Sequence, residues 1–220
     1  MQVAHLLYDR FTALDIVGPH DVLGRLPGVE PVFVAERPGP VRNDSGTMAI
    51  VADRALEEVP APDVIVVPGG FGTRLLLERE PLLAWLAQAH RTSTWTTSVC
   101  TGSLLLAAAG LLDGVPATTH WLARERLASL GAQVVNERVV HDGRIVTAAG
   151  VSSGIDMALR LVELMAGPEA AQAIQLGIEY DPAPPSDAGS PETAPAAIVD
   201  AVTAAFRARE AELTAGSHTA

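Results

Sequence analysis

Cysteine is nearly absent: the 220 residues contain one, Cys100, so no disulfide can form within the chain. A lone free thiol suits a reducing cytosol. Positive charge is scarce too, with 15 Lys and Arg against 26 Asp and Glu and a formal charge of −11. Nucleic acid and anionic membranes are thereby excluded as partners, since phosphate binding needs clustered positive charge. No apolar run reaches the ~18 residues of a membrane helix. The start, MQVAHLLYDRF, lacks the basic-then-apolar order and cleavage site of a signal peptide. His, Cys and carboxylate residues show no metal-ligand spacing, and no GxGxxG dinucleotide motif is present. No segment repeats. These absences are read as a soluble cytoplasmic globule.

Apolar side chains make up 48% of the chain, enough for one substantial core. Residues 2–8 read as a first strand. FTALDIVGPHDVLGRL reads as helix, with Thr12 as its cap and Leu14, Val17, Val22 and Leu26 on its apolar face. Pro19 is expected to break it and to start a second helical segment. Strands are expected at 31–36, 48–51 and 63–67, with RPGPVRNDSG as a loop between the first two. The third is fully apolar, as parallel sheets need. A helix is expected over 80–90, and residues 115–120 lead into another over 121–130. VVHDGRIV, 139–146, is a hairpin turning on Asp142-Gly143. A helix follows a cap at Ser152 or Ser153, and a further one spans 168–179. The segment YDPAPPSDAGSPETAP predicts an irregular surface or interface stretch over about 182–195, ahead of a C-terminal amphipathic helix and tail over 196–220. Alternating strands and helices predict one α/β domain over 1–220, a three-layer sandwich around a mostly parallel sheet.

Within that frame one stretch stands out. In TWTTSVCTGSLLLAAAGLL the residues before Cys100 are β-branched and aromatic, and those after Gly102 are strong helix formers. Strand, sharp turn and helix would lift the thiol out of the sheet toward the amides of a helix start, which lower a thiol pKa from about 8.5. The alternative is a buried, inert thiol. Asp15, between Leu14 and Ile16 just after the first strand, is either an acid facing the same edge or a carboxylate answering a helix dipole. The run PGGFG after the third strand lets the amides of Gly69 and Gly70 approach a ligand at the carboxyl ends of the strands; as a plain tight turn it would serve only the chain's course. His120, twenty residues after the cysteine, either polarises the thiol or is a satisfied histidine at a strand end. Phe71, Trp121 and Val151 are candidate pocket walls from their closeness to these motifs.

Five segments, LDIVGPHDV, VVPGGFG, SVCTGSLLLAAAGLLDG, ATTHW and QLGIEYDPAPPSDAGSPETAP, resemble the DJ-1/PfpI superfamily, and within it the isocyanide hydratases. The likeness runs over nearly all of residues 2 to about 200. It implies a flavodoxin-like sandwich, a homodimer, no cofactor, and a cysteine on a strained strand-to-helix turn. Position by position it implies that Cys100 is the nucleophile, Thr101 the residue that orients it, and Asp15 the acid opposite. The Gly69-Gly70 turn becomes a pocket wall, and His120 stands behind these residues. The implied activity is hydration of isocyanides to N-substituted formamides through a cysteine thioimidate. Protease-like members carry His directly after the cysteine, where this chain has Thr101, and DJ-1-like members carry Glu where this chain has Asp15. The motifs also resemble sensor domains of AraC-type regulators, which continue into a basic helix-turn-helix region not found in these 220 residues. A non-catalytic sensor or stress protein, or a glyoxalase- or amidase-type cysteine enzyme, are the alternatives.

Overall fold

A computed structural model describes residues 1–216, with side chains to residue 213; positions 217–220 of the expected tail lie outside the described residues. Two compact units result, Met1–Glu179 and Tyr180–Ala220. In the larger unit the strands are β1 Gln2–Leu6, β2 Glu30–Ala35, β3 Gly39–Arg42, β4 Ala49–Ala52, β5 Arg54–Ala55, β6 Val64–Val67, β7 Trp95–Val99, β8 Pro116–Ala117, β9 Gln133–Val134, β10 Val139–Asp142 and β11 Ile145–Ala148. Its helices are α1 Ala13–Leu23, α2 Thr73–Leu76, α3 Glu80–Thr92, α4 Gly102–Ala108, α5 Arg124–Ser129, α6 Ser153–Ala166 and α7 Pro168–Gly177. The smaller unit carries no helix or strand over 181–195 and then α8, Ala196–Gly216, with Ile198 and Val202 exposed one turn apart.

Seven strands form the central sheet in the order β10-β11-β7-β6-β1-β2-β5, every pair parallel except β10 with β11. The all-apolar β6 lies in its middle with every side chain buried. Helix α1 packs on α6, which carries α7, while α4 gathers α2, α3 and α5. The result is the expected three-layer α/β sandwich. Successive connections diverge at β1, whose neighbours are β2 on one side and β6 on the other. Such a switch point opens a crevice beyond the carboxyl ends of its strands.

Several local expectations are corrected. Helix α1 is unbroken, with Pro19 inside it. Proline removes one helical hydrogen bond, but packing on α6 outweighs the loss: a Cβ at Gly154 would sit 3.2 Å from the Pro19 ring, so the two helices approach closely there. The Thr12 hydroxyl does not cap α1 and donates instead to Asp44 Oδ2 at 3.0 Å. Ser152 likewise gives no cap; its hydroxyl accepts from Arg138. Part of the loop after β2 is the antiparallel hairpin β3–β4, which brings Asn43 against Phe11.

One buried group is unconnected with any motif. His5, on β1, is wholly buried with neither ring nitrogen bonded, between the rings of His20 at 5.1 Å and Phe33 at 5.3 Å. Burial first, and the neighbouring His20 second, lower its pKa from 6.5 to about 3. A depressed histidine pKa stabilises the fold fully above pH 6.5, and that contribution is lost as pH falls from 6.5 toward 3. The expected slope is about 1.4 kcal/mol per pH unit. His5→Phe should flatten it. Urea midpoints at pH 7 and 5 check this, and an equal acid-side loss in both proteins would refute it.

Candidate active site

Strand β7 ends at Val99, and the chain reverses sharply into α4. The Cys100 amide is shared between the carbonyls of Ala148 (3.1 Å) and Ala149 (2.8 Å) beyond β11. Its carbonyl accepts from Thr119 Oγ1 at 3.0 Å and Ser103 Oγ at 3.2 Å. Held on both sides, Cys100 takes a φ of 57°. The left-handed region costs a non-glycine residue about 1–2 kcal/mol, and such conformations persist where the surroundings over-determine them.

Opposite stands Asp15, in the first turn of α1 and completely buried. The Gly69 amide donates to its Oδ2 at 2.8 Å. The carboxyl and the Cys100 thiol act on each other electrostatically, and Oδ1 has no hydrogen-bond partner. Burial drives the Asp15 pKa from 3.8 up to about 8, against the pull of the Gly69 amide and Cys100, with a small further push from Asp44. A carboxyl with that pKa holds its proton at neutrality.

The expectation of a simply lowered thiol pKa is corrected. Burial pushes the Cys100 thiol up, and the Asp15 charge adds to it; the amides of Thr101 and Val151 and the Thr101 hydroxyl pull the other way. Burial wins in this balance because the sulfur is enclosed, with Cys100 only 6% exposed. Of the two upward pushes, the one from Asp15 vanishes when Asp15 is protonated. Protonation of Asp15 leaves burial alone opposed by the Thr101 and Val151 amides and the Thr101 hydroxyl.

The glycine turn is corrected in its role. Gly69 donates to Asp15, and the Gly70 amide donates to Thr101 Oγ1 at 3.0 Å, so neither points at an open ligand position. They assemble the site instead. Thr73 at the start of α2 also donates to Thr101 Oγ1, at 3.2 Å, and to the Gly70 carbonyl at 2.7 Å.

This combination, a strained cysteine after a central parallel strand with a buried acid at a sheet switch point, can be compared with known proteins. A model of the DJ-1/PfpI family matches residues 1–164. The chain belongs to the DJ-1/PfpI family. It is 45% identical to an isonitrile hydratase of Pseudomonas putida over 200 residues, 91% of this chain and 87% of that one. It is 34% identical to the HTH-type transcriptional regulator CdhR of Pseudomonas aeruginosa over 166 residues, 68% of this chain but 49% of the regulator. A crystal structure of a ThiJ/PfpI family protein from Pseudomonas syringae superposes with a TM-score of 0.91 at 39% identity, covering 95% of this chain and 87% of that one.

Against the DJ-1/PfpI frame the remaining candidates separate. The Val151 amide lowers the Cys100 pKa, and its side chain packs part-buried against the core. His120 packs against Gly150, where a Cβ would lie 3.0 Å from its ring, and its Nδ1 accepts from the Leu122 amide at 3.3 Å. Burial, then the charges of Arg74 and Arg124, push its pKa down to about 4. It is neutral at pH 7 and supplies no positive charge to the thiol. Trp121 stacks beside it at 5.8 Å, and Phe71 lies half-buried beneath the Arg74 guanidinium at 5.4 Å. Sequence reasoning missed Tyr8, whose buried hydroxyl donates to the Pro68 carbonyl at 2.6 Å and whose phenol is within electrostatic reach of both Asp15 and Cys100. Its position just beyond β1, facing the PGG run, is the signal that could have found it. Among the described residues no helix is long and apolar enough to cross a membrane.

Proposed function

We propose that this protein hydrates isocyanides to N-substituted formamides, with Cys100 as nucleophile and Asp15 as the acid and base. One observation carries the chemistry: a fully buried carboxyl, Oδ2 held by the Gly69 amide and Oδ1 unbonded, at the same sheet edge as a lone cysteine on a left-handed turn, with burial raising the acid's pKa. The 45% identity to the Pseudomonas putida isonitrile hydratase supports the choice of substrate.

An isocyanide carbon carries a lone pair and accepts a nucleophile readily only as it gains a proton. The Cys100 thiolate forms the S–C bond while Asp15 transfers its proton to that carbon, giving a neutral thioimidate and an Asp15 carboxylate. Water then adds to the carbon. Asp15 takes a proton from the water and passes it to the nitrogen, leaving a tetrahedral carbon with hydroxyl, sulfur and N–H. The hydroxyl proton returns to Asp15 as the C–O double bond forms and the C–S bond breaks. Formamide leaves, and the thiolate beside the protonated acid is regenerated, so one residue acts in both directions. The Thr101 and Val151 amides hold the sulfur's charge at the first and last step.

As for context, we read the protein as a cytoplasmic homodimer without nucleic-acid or membrane partners, in keeping with a single cysteine and a charge of −11. The direct test is incubation with a simple alkyl or aryl isocyanide while following formamide by NMR. Formamide is the expected product. Alkylation of Cys100 with no formamide would leave the sensor reading suggested by CdhR, and turnover of an aldehyde or amide instead would point to another cysteine enzyme of the family.

A further inference from the structure

The two backbone amides that lower the Cys100 pKa differ in how they are held. Thr101 adjoins Cys100 and is fixed by its own side-chain bonds. Val151 lies far along the chain, in the connection between β11 and α6, and its amide lowers the thiol pKa only while that connection keeps its place. One side is tied to the nucleophile itself, since the Ala148 and Ala149 carbonyls accept from the Cys100 amide. The other side is tied to Arg138, just before β10. The Arg138 carbonyl accepts from the Ala149 amide at 2.9 Å. Its guanidinium meets Asp156 Oδ2 through Nε at 2.8 Å and through a terminal nitrogen at 2.6 Å, and that terminal nitrogen also donates to Ser152 Oγ at 3.2 Å.

We propose that Arg138 is a positioning residue for the nucleophile: by holding Ala149 through its carbonyl and Ser152 and Asp156 through its guanidinium, it fixes residues 149–152 and with them the Ala149 carbonyl that holds the Cys100 amide. The planar fork suits this task, because it spans a carboxylate and a hydroxyl in one geometry where an ammonium is a single point. The ion pair is half exposed, 52% for Arg138 and 32% for Asp156. Exposed pairs add little to global stability. Their positional effect on a charge-assisted bond to a thiolate is larger, since a displacement of about 1 Å can cost about 10²-fold in rate. Three groups act on the thiol electrostatically in addition to the two amides: the Asp15 carboxyl from α1, the Tyr8 phenol from the end of β1 and the Thr101 hydroxyl.

The proposal rests on the hydratase reading only for its turnover measurement. The test compares the pH dependence of Cys100 alkylation by iodoacetamide in the wild type, Arg138→Ala and Arg138→Lys, alongside kcat and KM for an isocyanide. Arg138→Ala should move the alkylation midpoint up by about one pH unit, a tenfold loss of thiolate, and lower kcat about tenfold with KM little changed. Arg138→Lys should recover part of both. If Arg138→Ala does not fold, Asp156→Asn removes the same grip and should shift the midpoint in the same direction. An unmoved midpoint in a folded variant overturns the proposal, even where turnover falls. A moved midpoint in a protein that hydrates no isocyanide would uphold the positioning role and reject the hydratase reading alone.

Discussion

Hydration is expected to stop in Cys100→Ala and to fall about 10²–10⁴-fold in Asp15→Asn, the range general acid–base groups contribute, while Asp15→Asn remains open to iodoacetamide. The two losses have different origins. Without sulfur no covalent intermediate forms. When an amide replaces the Asp15 carboxyl, the sulfur can still be alkylated, because that reaction needs no proton at carbon, but attack on an isocyanide would leave an unprotonated carbanion. The wild-type rate should also decline above about pH 8, as the Asp15 carboxyl loses its proton. Mass spectrometry of the alkylated protein and an NMR rate assay separate these outcomes. An Asp15→Asn protein that hydrates at the wild-type rate would remove the acid from the mechanism.

The same carboxyl leaves a mark on stability, with a sign that can be worked out. Unfolded, Asp15 ionises near 3.8; folded, it keeps its proton to about pH 8. A raised acid pKa means that the folded state gains full benefit below the unfolded value and loses it as pH rises from about 4 to about 8. The limiting slope is about 1.4 kcal/mol per pH unit. Asp15→Asn has no such slope, so its stability relative to wild type should increase between pH 5 and pH 8. A gain in stability with a loss of activity marks a group retained for chemistry. A constant stability difference across that pH range would mean that the carboxyl ionises freely in the folded protein.

Those predictions concern residues that the sequence made visible, and the reason is local. Cys100 announces itself because strand formers stop and helix formers begin within a few residues of it. Asp15 is visible as a carboxylate between two large apolar residues beyond a strand. The alternation of apolar strands with helices likewise carries the layered fold. Other features depend on contacts that no window of sequence contains. Pro19 reads as a break until Gly154, far along the chain, offers a surface against which an unbroken helix packs. Thr12 and Ser152 read as caps, but Asp44 and Arg138 claim their hydroxyls across the fold. The thiol's electrostatics belong to the same class: a strand-turn-helix pattern shows donors, whereas burial and the facing acid are set by tertiary structure and outweigh them. The glycine turn lies against Cys100 and Thr101, yet its task is not legible locally, since its amides serve Asp15 and Thr101 rather than a ligand.

That task makes Gly69→Ala a disruptive single-methyl change in the site. A Cβ at residue 69 would lie 2.5 Å from the Thr101 nitrogen, 2.7 Å from its hydroxyl and 2.8 Å from the Cys100 Cβ. The nearest of these is backbone, in the turn that already bears a positive φ, so no side chain can swing aside to relieve it. Either the β6–α2 connection retreats, lengthening the Gly69 bond to Asp15, or the nucleophile turn moves away from the acid. Overpacking of this kind costs about 1–3 kcal/mol, and a shift approaching 1 Å between reacting groups costs about 10²-fold in rate. The expected result is a folded protein of lower Tm whose kcat falls about 10²-fold and whose Cys100 alkylation profile also changes, since both partners of the pair are displaced. Thermal unfolding, turnover and alkylation on one preparation measure all three. If Gly69→Ala keeps wild-type turnover, the close approach of the glycine turn to Cys100 and Thr101 is not what holds the acid and the sulfur together.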